Sequence, residues 1–170
     1  MLHRTCVLTI PKGLTVNGNS VQIPTGNDAL SAIDTGTTLI GGPSDGVQNL
    51  YAAIPGSQPV GSQMQGFFAF RKSPPPPLPP SLQLTLDLMR PCGPACETTV
   101  TVSISFGGKS WPIDPDDMNL GQLGGGLCVG AIFDLGLGSN IGSGGGNPSW
   151  VVGDTFLVRP PPRISTSLHR

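Results

Sequence analysis

The chain has little charge and almost no histidine. Charged residues make up 11 % of 170, nine basic against ten acidic, for a net charge of −1. That balance gives no basic surface for nucleic acid. No apolar run reaches the roughly 18 residues that suggest a membrane span. The two histidines, His3 and His169, stand near the ends, away from any apolar frame. Ser-His-Asp chemistry therefore has no organised site. Cys92-x-x-x-Cys96 lacks the second ligand pair that a zinc site needs. The run Gly136 to Gly142 has the wrong spacing for a nucleotide loop, and no helix is expected to follow among its glycines. No cofactor and no metal are expected. The opening, Met1 to Ile10, has too short an apolar core for a signal peptide.

Glycine and proline are plentiful instead, 25 and 19 residues, beside an apolar fraction of 37 %. That composition suits short strands with many turns, and the length suits one domain. Leu14–Val16 and Ser20–Ile23 flank Asn17-Gly18, whose residues accept the positive φ of a tight hairpin turn. Val47, Leu50, Tyr51 and Ile54 share one face of a short helix, with Ser44 as its expected cap. Phe67–Phe70, the alternating Thr99–Phe106, Leu127–Phe133 and Trp150–Val152 read as further strands, and Gly107-Gly108 as a turn. The predicted fold is all-β with one or two short helices.

The stretch Ala32 to Ile40 carries the chemistry. Ala32 and Ile33 read as the buried end of a strand, and Leu39-Ile40 re-enters a core. Between them Asp34 is followed by Thr35, Gly36, Thr37 and Thr38. A carboxylate beside apolar strand ends is costly to bury unless it is hydrogen-bonded. Neighbouring hydroxyls can supply those bonds, and Gly36 allows a sharp turn. On the residues alone, Asp34 is either a satisfied structural acid or a catalytic one.

Ile33-Asp34-Thr35-Gly36-Thr37-Thr38 resembles the active-site loop of pepsin-like aspartic proteases, in the form found in their C-terminal lobe. Trp150-Val151-Val152-Gly153-Asp154-Thr155-Phe156-Leu157 resembles the second signature of that lobe. Leu39 to Ser44 and Phe106 to Ile113 are similar to segments of secreted fungal members of basidiomycete type. The resemblance runs from Gly13 to Leu157. It implies peptide-bond hydrolysis by two aspartates, one from each lobe, that share a proton and activate a water. Asp34 matches the C-lobe aspartate. Thr35 would brace the loop against the other lobe, Thr37 would bond the Asp34 carboxylate, and Gly36 and Thr38 would contact substrate backbone. Ile33 and Val152 would support the acid from below. The family's single C-lobe disulfide would join Cys96 and Cys128, closing a loop worth roughly 3–4 kcal/mol in the chain-entropy model. Cys6 and Cys92 would be unpaired, although four reduced thiols remain the alternative. The family's members are secreted or vacuolar, so the protein's true beginning is expected upstream of Met1.

The departures shape the functional expectation. There is no second Asp-Thr-Gly, no N-terminal lobe and no flap tyrosine, since Tyr51 lies in the predicted helix. The strand that should follow Leu157 is replaced by Val158-Arg159-Pro160-Pro161-Pro162 and a polar tail. Residues 71–95, proline-rich from Pro74 to Pro80, interrupt the family pattern, with a weak strand-like alternation over 81–89. Arg71-Lys72-Ser73 can be encoded with a splice-donor start and Pro94-Ala95 with an acceptor, so translated intron is the expected origin. Transcript sequencing that retained the insert in a fully spliced message would reject this. The domain reading is a non-family extension over 1–12, the lobe over 13–157 interrupted at 71–95, and a non-family tail over 158–170. The expected function is an aspartic endopeptidase lobe, acting on peptide or protein and inactive without its missing N-terminal lobe. Two alternatives stand beside it. One is a homodimer of retroviral-protease type, although such subunits are shorter and usually carry Gly-Arg where this chain has Gly153-Asp154. The other is a non-catalytic peptide-binding or proline-rich interaction module, for which Arg71, Pro74 and Pro77 fit the Arg-x-x-Pro-x-x-Pro form read by SH3-type grooves.

Overall fold

The structure, a computed structural model, describes residues 7–9, 11–24, 30–71, 100–106, 108–139 and 148–157. The proline run, the 81–89 alternation, Cys6, Cys92, Cys96, Gly144–Gly146, both histidines and the tail lie outside the described residues. Among the described residues the chain forms strands in three sheets and a few short helices.

The first sheet carries the candidate site. Its strands are β1 (Val7–Thr9), β4 (Ser31–Ile33), β5 (Ile40–Gly42), β12 (Ile132–Asp134) and β13 (Trp150–Val152), in the order β1-β4-β13-β5-β12. β13 runs parallel to β4 and antiparallel to β5. The loop joining β4 to β5 therefore passes over the end of β13. β1 pairs antiparallel with β4, Val7 opposite Ile33. Part of the segment set apart as an extension over 1–12 thus builds into the same sheet as Asp34.

The second sheet orders β10-β11-β7-β6, from Asn119–Gly124, Leu127–Gly130, Phe68–Arg71 and Gln58–Pro59. The third orders β3-β2-β8-β9, from Asn19–Val21, Pro11–Val16, Val102–Phe106 and Lys109–Pro112. Asn17 and Gly18 take φ of 50° and 80°. These are the left-handed values that the two central residues of a tight hairpin require. One expected strand is divided: Leu127–Phe133 splits at Ala131 into β11 and β12, in different sheets. The Ala131 N–H donates to the Met118 carbonyl at 3.0 Å, and its own carbonyl takes the Ile40 N–H at 3.1 Å.

The expected helix is α1, Ser44–Ala52, and it buries Val47, Leu50 and Tyr51. Ser44 is its first helical residue rather than its cap. Pro43 holds the cap position in an extended conformation, with no side-chain cap bond. The ring that fixes its φ suits that entry. Tyr51 stacks on Phe68 at 4.6 Å, and its hydroxyl donates to the Ile132 carbonyl at 2.8 Å. Burial pushes the phenol well above its ordinary range. The core joins Leu14, Val16, Ile40, Leu50, Phe70, Val102, Met118, Ile132 and Trp150 across all three sheets. Close approach to β5 depends on glycine: a Cβ on Gly42 would lie 2.5 Å from the Trp150 ring.

Candidate active site

Asp34 follows directly on β4, where the strand ends and the chain turns. Ile33 pairs in register with Val152, and the Asp34 N–H donates to the Val152 carbonyl at 3.0 Å. The acid is therefore fixed at the C-terminal end of two parallel strands, beside the 150–154 segment. Its carboxylate is half-buried, and both oxygens are engaged within the loop. Oδ1 accepts the Gly36 N–H at 2.8 Å, and Oδ2 accepts the Thr37 hydroxyl at 2.7 Å. Such bonds to the charged form offset the cost of withdrawing a carboxylate from water.

The turn after β13 backs this loop. Gly153 N–H donates to the Leu39 carbonyl at 3.2 Å, Asp154 N–H to Thr37 at 2.9 Å and Thr155 N–H to Thr38 at 2.8 Å. The Thr155 hydroxyl adds a bond to the same Thr38 carbonyl at 2.9 Å. Gly153 is buried against that loop, because a Cβ there would run into the Thr37 carbonyl oxygen.

The sequence-predicted residues thus fall together. Ile33 and Val152 lie beneath the acid, half-buried and buried respectively. Thr37 is half-buried on the carboxylate, while Thr35, Gly36 and Thr38 are exposed. Cys128 lies apart, buried on β11, and is disulfide-bonded. Its partner is outside the described residues, as are all three other cysteines. Thr155 had no role assigned from sequence. Its signal is a hydroxyl two places after Gly153. Among the described residues no group of three or more His, Cys, Asp or Glu is placed to hold a metal ion.

The family model described as eukaryotic aspartyl protease matches residues 6–160. The chain belongs to the eukaryotic aspartyl protease family. An aspartic protease of Phaffia rhodozyma is 36 % identical over 151 residues, 85 % of this chain and 28 % of the relative. Major aspartyl peptidase 1 of Cryptococcus neoformans is 33 % identical over 152 residues, 86 % of this chain and 25 % of the relative. Human cathepsin D is 30 % identical over 129 residues, 75 % of this chain and 24 % of that protein. The likeness to both fungal proteins supports a pepsin-like protein of fungal type. The chain spans about a quarter of the length of these relatives. The match begins at residue 6 and so includes residues 7–9, which pair with β4.

Proposed function

We propose that the chain is the C-terminal lobe of a pepsin-like aspartic endopeptidase and contributes Asp34 as one of two reacting carboxylates. The observation that carries this is the state of Asp34. Both its oxygens are held in a loop backed by Gly153, while Thr35, Gly36 and Thr38 are exposed around it. An acid so oriented is half of an arrangement that polarises a water for attack on a peptide carbonyl. The other half is a second carboxylate close enough to share a proton. That sharing is long-established behaviour of aspartic proteases rather than a result of this structure. Thr35 would brace the facing lobe, and Gly36 and Thr38 would hold the backbone of a peptide or protein substrate. The Cys128 disulfide is assigned to Cys96, and a bonded cysteine suits the secretory or vacuolar route of the family. Among the described residues no helix is long and apolar enough to cross a membrane.

A lone carboxylate cannot clamp a water from two sides, so this chain by itself is expected not to cleave protein. The test incubates purified chain with denatured protein at acid pH, with and without a statine-type inhibitor. No inhibitor-sensitive cleavage is expected from the chain alone. Co-folding with the N-terminal lobe of a fungal relative should restore cleavage, and Asp34→Asn in that assembly should abolish it. Cleavage by the isolated chain, rising with the square of its concentration, would instead favour two identical subunits. Cleavage by the assembly that survived Asp34→Asn would sink the proposal.

A further inference from the structure

Four hydrogen bonds tie the 153–155 turn to the loop carrying Asp34, and they are not equivalent. Three come from backbone N–H groups, which almost any sequence supplies. The fourth comes from the Thr155 hydroxyl. Thr155 is 7 % exposed, and its Oγ1 reaches the Thr38 carbonyl at 2.9 Å across 117 residues of chain. That carbonyl also takes the Thr155 N–H at 2.8 Å. A carbonyl oxygen has two lone pairs, so both bonds can form at once. The hydroxyl is buried with that carbonyl as its partner, and a buried hydroxyl that loses its partner is costly.

The bond has a consequence at the acid. The Thr38 carbonyl belongs to the Thr38–Leu39 peptide, the next one along from the Thr37–Thr38 peptide, and Thr37 gives its own hydroxyl to Asp34 Oδ2 at 2.7 Å. The Asp154 N–H on the Thr37 carbonyl and the Thr155 pair on the Thr38 carbonyl hold successive peptides. Between them they restrain the backbone on the C-terminal side of Thr37. We propose that Thr155 is a positioning residue for Asp34: its hydroxyl locks the Thr38 carbonyl and thereby aims the Thr37 hydroxyl at the carboxylate. Valine at this place would fill the same volume and still supply the backbone bond, but would leave the Thr38–Leu39 peptide held by one bond instead of two.

The proposal rests on the reading of Asp34 as a reacting acid, but its test reads Asp34 without any cleavage. The carboxyl carbon of Asp34 is followed by NMR through an acid titration in the whole chain. Thr155→Val should raise the midpoint by about half a pH unit, the weakening of one ordinary hydrogen bond to the charged form. Thr155→Ser, which keeps the hydroxyl and loses a methyl, should leave it at the wild-type value. Asp154 on the same turn is unchanged in both variants, so its charge cannot produce the difference. A midpoint unmoved by Thr155→Val, or moved equally by Thr155→Ser, would show packing alone and overturn the proposal. Should Thr155→Val fail to fold, the wild-type hydroxyl proton decides. Slow exchange with proximity to Thr38 supports the lock, and exchange at the solvent rate ends it. Failure of the protease reading would appear elsewhere, as no cleavage by the two-lobed assembly with this titration intact.

Discussion

Asp34 and Asp134 have nearly the same local structure and opposite surroundings. Each stands at the end of a strand of the five-stranded sheet, and each begins an Asp-x-Gly turn. In each, Oδ1 accepts the N–H of the glycine two residues on, at 2.8 Å. The third following residue separates them. Thr37 gives a hydroxyl to Asp34 Oδ2, whereas the counterpart after Asp134 is Leu137, a side chain 59 % exposed. Asp134 is fully buried, and among the described residues its Oδ2 has no hydrogen-bond partner. An Asp-x-Gly turn is thus a backbone device that the chain uses twice. At residue 34 a hydroxyl and a backing turn make it an oriented, solvent-reachable acid. At residue 134 it caps the Leu135–Gly138 helix.

The two turns differ most at their glycines. A Cβ on Gly153 would strike the Thr37 carbonyl oxygen and lie 2.7 Å from the Leu39 oxygen. Both are main-chain atoms that cannot rotate away. Gly153→Ala should therefore cost about 3 kcal/mol or more in urea denaturation. At Gly136 the nearest atoms to a Cβ are Asp134 Oδ1 at 3.2 Å and Ser44 Oγ at 3.5 Å, both on side chains. Gly136→Ala should cost about 1 kcal/mol or less. Equal losses at the two positions would mean that the 153–155 turn does not back the Asp34 loop rigidly.

The acids themselves give the next effect. Asp134→Ala removes a helix cap and should cost about 1 kcal/mol. Asp34→Ala should change stability by less than about 0.5 kcal/mol, because its loop is partly open to water. The same Asp34 substitution should remove all activity from the two-lobed assembly. Matching urea midpoints for the two alanine variants would erase the distinction between an acid kept for structure and one kept for chemistry.

The sequence made one of these acids visible and hid the other. Thr37 and Thr38 around Asp34 are written in adjacent letters, and so is the apolar pair before Gly153. The turn at Asp134 reads Leu-Gly, which does not mark the acid, since its identity lies in burial. The break at Ala131 was equally hidden. A continuous apolar run has the same pattern whether it serves one sheet or two, and Met118 and Ile40 decide where it divides. β1 escaped notice because an edge pairing is made by main-chain groups, which no motif records. Thr155 was legible as a letter but not as a role, because its acceptor is 117 residues away. The hairpin at Asn17-Gly18 and α1 were readable because their causes are local.

Asp117 is a third acid, set among two neighbouring carboxylates. Burial raises its carboxyl above the ordinary range, and the charges of Asp114 and Asp116 raise it further. A raised carboxyl holds its proton more tightly in the folded chain than in the unfolded one. The ionised form therefore weakens the fold above that pH, and the penalty fades as pH falls through the folded value and then the ordinary one. Asp117→Asn should stabilise slightly at neutral pH, by less than about 0.5 kcal/mol because solvent screens the cluster, and not at all near pH ~2, below the ordinary carboxylate range. Thermal midpoints at the two pH values measure this. An equal gain at both would mean that the asparagine acts through turn geometry, and that like-charge crowding is not what distinguishes this acid from Asp34 and Asp134.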